Sequence, residues 1–146
     1  MARRAFEQPP IQMAQQIGRM RVVCPDFERI SWHKDVVRWE GDLQPTDASA
    51  RYRIAIEYRL RRRPAVTVLR PDLTRHENGS AIPHRFPDGT LCLYLTNSGE
   101  WHPLMYIAEA IIPWTAHWLY HYELWHATGE WMGGGVHPAV KKAQTR

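Results

Sequence analysis

The stretch RYRIAIEYRLRRRPAVTVLR, residues 51 to 70, reads as two strands joined by a tight connection. Tyr52, Ile54, Ile56 and Tyr58 alternate with Arg51, Arg53, Ala55, Glu57 and Arg59. That period of two puts four large apolar side chains on one face and mostly charged ones on the other. Arg61, Arg62 and Arg63 form a solvated turn before Pro64, and Ala65 to Leu69 is the returning strand, ended by Pro71. Strands joined by so short a turn pair antiparallel, and a sheet with one wet face packs its other face on helices.

Toward the N-terminus, Val36 to Glu40 reads as a further strand and Gly41 to Ser49 as a loop. Arg21 to Cys24, with two adjacent valines, reads as another strand. Before it, Met13, Ile17 and Met20 recur at helical spacing from about Pro10, with glutamines opposite. Toward the C-terminus, residues 70 to 88 show little periodicity, an irregular loop long enough to suggest function. Leu104 to Ile112 is helical, Pro113 predicts a break or kink, and a second helical segment runs to about Thr128. In that segment Trp114, Trp118, Tyr122 and Trp125 fall on one stripe, and Gly129 fits a C-terminal cap. The expected fold class is α+β: an N-terminal helix, a four-stranded antiparallel β-meander and C-terminal helices. Gly133 to Gly135 and His137-Pro138 lead to a tail at 139–146, expected to be mobile.

The chain's 146 residues fit one domain spanning 1–146. With 44% hydrophobic and 23% charged residues, the composition is that of a soluble globular protein. The apolar runs are too short and too interrupted for a membrane span, and MARRAFEQPP lacks the apolar core of a secretory signal, so a cytoplasmic location and no membrane association are expected. Cys24 and Cys92 are accordingly read as thiols rather than a disulfide. The net charge of +4 is spread along the chain, which favours nonspecific electrostatics over a nucleic-acid site.

The chemistry concentrates in HRFPDGTLCLYLTNSGEW, residues 84 to 101. Pro87-Asp88-Gly89 is turn-forming, and beyond it Leu91, Leu93 and Leu95 take one face of an extended segment while Cys92, Tyr94 and Thr96 take the other. If the leucines face the core, Cys92 does not. A thiol so placed is either a small buried hydrophobe or a nucleophile, and periodicity alone leaves both readings open. For Cys24, beside Val23, the buried reading is preferred.

The order of strand, Arg-rich turn before Pro64, strand, irregular loop, His84, turn, Leu91-Cys92-Leu93 and Trp101-His102-Pro103 resembles the ubiquitin-conjugating enzymes. In that family a His-Pro-Asn element precedes a turn and the catalytic Cys, and a Trp-Ser-Pro element follows. The sequence WLYHYELWHATGEW, residues 118 to 131, is similar to the tail of the bacterial ubiquitin-conjugating-like proteins found in CBASS-type antiphage operons. The likeness covers about Val36 to Pro138. It implies that Cys92 is the nucleophile and His84 the family's histidine, with Trp101 and His102 as supporting residues. It also implies a thioester with the C-terminus of a partner protein such as a cGAS-like nucleotidyltransferase, and possible help from a separate activating enzyme.

Arg85 and Phe86 follow His84, so the family's oxyanion-stabilising Asn is absent from its place. Asn97 or a backbone N–H is the candidate substitute, and Asn97 is equally a turn residue. His84 is expected to hold the loop by hydrogen bonds rather than to act as a base. Without an oxyanion donor the alternative reading is a catalytically inactive binding module that regulates a partner. A thiol of ordinary pKa, about 8.5, is only a few per cent ionised at neutral pH, enough for an acyl group that is already activated. No phosphate-cradling Gly loop between strand and helix is present, so no nucleotide or other cofactor is expected and activation falls to another protein. His117 and His121 are spaced i, i+4 but lack the Glu of an H-E-x-x-H motif, and they are read as the polar flank of an aromatic helix rather than as a metal site.

Overall fold

A computed structural model describes residues 8–93 and 101–132. Helix α1 (Met13–Val23) is followed by strands β1 (Glu28–His33), β2 (Val36–Leu43), β3 (Tyr52–Arg59) and β4 (Ala65–Arg70), and then by helix α2 (Ile107–Thr128). The strands form one antiparallel sheet in the order β1-β2-β3-β4, the α+β meander expected from the sequence. Tyr52, Ile54, Ile56 and Tyr58 are all buried, as their alternation requires. With Val37 and Trp39 of β2 and Val66 of β4 they share one core with Ile107, Ile111, Trp118 and Leu119 of α2.

Arg21–Val23 is not a strand. It is the last turn of α1, where the Cys24 N–H donates to the Met20 carbonyl at 2.8 Å. Val22 is 76% exposed, so its β-branched side chain reports no buried strand there. The first strand is instead Glu28–His33, exposed along its whole length and bulged between Arg29 and Ser31. An edge strand wet on both faces has no apolar alternation to read.

Gln16, which sequence places on the polar side of α1, is only 1% exposed. Its Nε2 donates to the Met105 carbonyl at 2.9 Å and its Oε1 accepts from the Ile107 N–H at 3.0 Å. The amide thus satisfies an orphan N–H in the first turn of α2 from a different helix. An ion pair between Arg19 and Glu109 adds a second link between the helices.

The break expected at Pro113 does not occur, because α2 is helical from Ile107 to Thr128 with Pro113 inside it. Proline deprives the Glu109 carbonyl of its intrahelical donor. Ile107, Ala108, Ile111 and Ile112 before it and Trp118, Leu119, Tyr122 and Trp125 after it are all buried in the same core, which keeps the helix continuous across it. Gly129 caps the helix at φ +84°, its N–H donating to the Trp125 carbonyl at 2.7 Å.

Gly41 lies on the buried face of β2, and a Cβ built there would sit 2.6 Å from Cγ of Phe27. Gly41→Ala is therefore expected to lower stability by about 1–3 kcal/mol through overpacking. The shift of the urea midpoint at unchanged slope measures it.

Candidate active site

The 71–83 segment, without strand or helix, is docked on α2. Tyr122 Oη accepts from the Thr74 N–H at 2.9 Å, His126 Nε2 lies 3.2 Å from the Thr74 carbonyl, and the His76 ring stacks on that of His126 at 5.8 Å. The chain then reaches His84 at φ +56°, a left-handed conformation that costs a non-glycine residue roughly 1 kcal/mol. This bend aims the His84 carbonyl at two donors. The Cys92 N–H reaches it at 2.9 Å and the Trp118 indole N–H at 3.1 Å.

Between His84 and Cys92 the chain folds back on itself. The Gly89 N–H donates to the Phe86 carbonyl at 2.9 Å, with Gly89 at φ +90°, and the Phe86 N–H donates to the Thr90 carbonyl at 2.8 Å. Asp88 Oδ1 accepts from the Thr90 N–H at 2.9 Å and from Thr90 Oγ1 at 2.7 Å, an Asx-type closure of the predicted turn. These bonds hold the Asp88 carboxyl below the usual carboxylate range, and the Arg63 charge contributes a smaller part. A depressed carboxylate stabilises the folded state above its unfolded pKa of about 4 and ceases to as pH falls through the folded value. The urea midpoint of Asp88→Asn is thus expected to lie below wild type at pH 7, with the gap closing on acidification. The gap is small because the group is exposed.

Arg85 and Leu91 bridge as a single antiparallel pair, and the Leu91 N–H donates to the Val66 carbonyl of β4 at 2.9 Å. Cys92 and Leu93 follow without strand pairing, so of the expected apolar strand the described residues 91–93 show only the bridge at Leu91 and the backbone bonds of Leu91 and Cys92. Leu91 is buried while Cys92 and Leu93 are half-buried. The predicted contrast between Leu91 and Cys92 holds. Leu93 also packs against the core, but it is less covered than Leu91.

His84 and Cys92 are therefore brought together through the backbone. The His84 side chain is buried, its ring 5.1 Å from that of Trp131. Trp131 also lies 5.1 Å from Trp118, so two indole rings back the bend. Trp101 is half-buried, edge-on to Tyr58 with centroids 6.1 Å apart. His102 is exposed, and its Nδ1 accepts from the Leu104 N–H at 3.2 Å. Asn97, Tyr94, Leu95, Thr96, the Gly133–Gly135 run, His137-Pro138 and the tail at 139–146 lie outside the described residues.

Phe86 occupies the second position after His84, and the Arg63 guanidinium lies 3.9 Å above its ring. A cation and an aromatic face thus stand where a side-chain amide was sought. The indole of Trp118 was legible in sequence only as a core residue on an apolar stripe, since nothing local announces a hydrogen bond across 34 residues. Cys24 fits its structural reading: Sγ lies 3.7 Å from the Ala108 carbonyl, and burial, then the Asp26 charge, pushes the thiol pKa up.

Among the described residues no group of three or more His, Cys, Asp or Glu side chains converges as a metal site, and no helix is long and apolar enough to cross a membrane. Residues 16–138 match the family described as Type II CBASS E2 protein. No curated protein matches the chain.

Proposed function

We propose, because this chain belongs to the Type II CBASS E2 protein family, that it is a conjugating enzyme whose Cys92 accepts the C-terminal acyl group of a partner protein as a thioester. The family name places the chain among CBASS proteins, an antiviral context, and within it the partner is a cGAS-like nucleotidyltransferase. The observation that carries this reading is the Cys92 amide held on the His84 carbonyl, after a hydrogen-bonded turn, with Cys92 half-buried rather than packed away.

In the first step the Cys92 thiolate attacks an activated C-terminal carbonyl carbon. A C–S bond forms and the activating group departs with its electron pair. In the second, an amine or thiol attacks the thioester carbonyl, the C–S bond breaks with its electrons returning to sulfur, and the acceptor gives up its proton. Activation is supplied by another protein. His84 acts through its backbone by fixing the Cys92 amide, and Trp101, His102 and Asn97 are supporting residues. The enzyme works in the cytoplasm.

A binding module that regulates its partner without chemistry is the second reading. Phe86 under Arg63 favours it, because no side-chain amide follows His84 to meet an oxyanion. Incubating the protein with a cGAS-like nucleotidyltransferase, with and without an activating enzyme, and resolving the mixture on nonreducing gels separates the two. An adduct removed by thiol reductant is the expected result. Stable binding with no adduct under either condition rejects the enzyme and leaves the module.

A further inference from the structure

His117 and His121 stand one turn apart on α2, and their Nε2 atoms are 2.7 Å from each other. The rings are 4.4 Å apart between centroids and tilted by 39°. At that separation one ring brings the proton and the other its lone pair, so the tips of both imidazoles converge on one point outside the helix. Histidines at i and i+4 share a helix face, and convergence of the two Nε2 atoms is the further requirement for a shared cation. The geometry points to a two-nitrogen chelate for a borderline divalent transition metal of the Ni²⁺, Cu²⁺ or Zn²⁺ class.

Metal–nitrogen bonds of about 2.0–2.1 Å place two neighbouring ligand nitrogens roughly 3 Å apart, so a small rotation of the exposed His117 ring opens the pair enough. For both Nε2 lone pairs to face the metal, the ring that donates the existing hydrogen bond takes the tautomer with its proton on Nδ1. Among the described residues no further His, Cys, Asp or Glu completes a set of three, which leaves the other coordination positions to water. The site is thus weak and exchangeable rather than structural. Imidazole donors exclude Mg²⁺ and Ca²⁺, which take oxygen ligands.

The site also has a neighbour that reports on it. The Trp131 ring lies 6.3 Å from that of His121 and 5.1 Å from that of His84. A metal on the histidine pair therefore sits beside the aromatic group that backs the His84 bend, and a paramagnetic ion there quenches tryptophan emission.

Tag-free full-length protein titrated with NiCl₂ by calorimetry and by tryptophan fluorescence tests the proposal. Ni²⁺ is the probe because it takes imidazole without oxidising Cys24 or Cys92. The expected result is one Ni²⁺ per chain at micromolar affinity with quenched emission, Zn²⁺ also binding and Mg²⁺ not. His117→Ala and His121→Gln should each weaken Ni²⁺ binding at least tenfold, whereas His76→Ala and Cys92→Ala should not. Unchanged far-ultraviolet circular dichroism shows that the variants fold. No Ni²⁺ binding, equal binding in the His117 and His121 variants, or loss on replacing His76 or Cys92 instead overturns the assignment. None of these outcomes depends on whether Cys92 forms a thioester.

Discussion

Cys92→Ala is expected to abolish the reductant-sensitive adduct with the partner's C-terminus, lowering its rate by at least about a thousandfold, because loss of the nucleophile removes the covalent route altogether. Cys92→Ser should give a slower product that survives thiol reductant and yields to alkali, since an oxygen ester replaces the thioester. Nonreducing gels with mass spectrometry of the adduct check both. The environment makes these variants informative. Cys92 is half-buried and its backbone N–H, bonded to the His84 carbonyl at 2.9 Å, survives either substitution, so the turn keeps its shape while the sulfur is lost. Cys24→Ala serves as the control and should leave the adduct intact, because its thiol faces the Ala108 carbonyl and carries a raised pKa. An adduct of wild-type strength in Cys92→Ala would remove Cys92 from the chemistry.

Leu119→Ala is expected to cost about 2–5 kcal/mol of folding stability. Leu119 is fully buried on α2, in the core shared with the sheet, and a cavity there cannot collapse without moving the helix. Against a total stability of about 5–15 kcal/mol such a loss is large, and the urea midpoint should fall without a change of slope. Its neighbour Trp118 gives the contrast. Trp118→Phe keeps an aromatic ring but deletes the indole N–H that reaches the His84 carbonyl at 3.1 Å. The carbonyl still accepts from the Cys92 N–H, so the hydrogen-bond part of the cost is only about 0.5–1.5 kcal/mol. Per folded molecule, however, Trp118→Phe should slow adduct formation several-fold through a looser His84 bend, while Leu119→Ala should leave that rate within about twofold. Equal rates in the two variants would separate Trp118 from the site.

Sheet topology was legible in sequence because its signal is local. The alternation of Tyr52, Ile54, Ile56 and Tyr58, the Arg-rich turn before Pro64 and the strand from Ala65 each follow from the pleat and from turn chemistry within a few residues. The Pro87-Asp88-Gly89 turn and the Gly129 cap were legible for the same reason, since each needs a backbone conformation that particular residues favour. What local patterns misread was decided by burial. Arg21–Val23 has strand propensity but ends a helix whose Met20 is in the core, and β1 has no buried face to mark it. Pro113 breaks helices in isolation, yet here the buried residues on either side of it keep α2 continuous through it.

The amino-acid sequence by itself determined an α+β meander and placed a thiol just after a tight turn, and its resemblance to the conjugating enzymes pointed to His84, Cys92 and the aromatic tail together. Only the tertiary structure decided how those parts meet. Gln16 joins the two helices across 91 residues, Trp118 and Cys92 converge on one His84 carbonyl, Arg63 covers Phe86, and the His117 and His121 nitrogens close to 2.7 Å. Most of these contacts join residues distant in sequence and have no periodicity to read, while the i, i+4 spacing of the histidine pair is legible but the meeting of its nitrogens depends on side-chain rotation. The contacts of Gln16 and Trp118 form because a buried polar group must find a partner once the core has fixed which elements lie side by side.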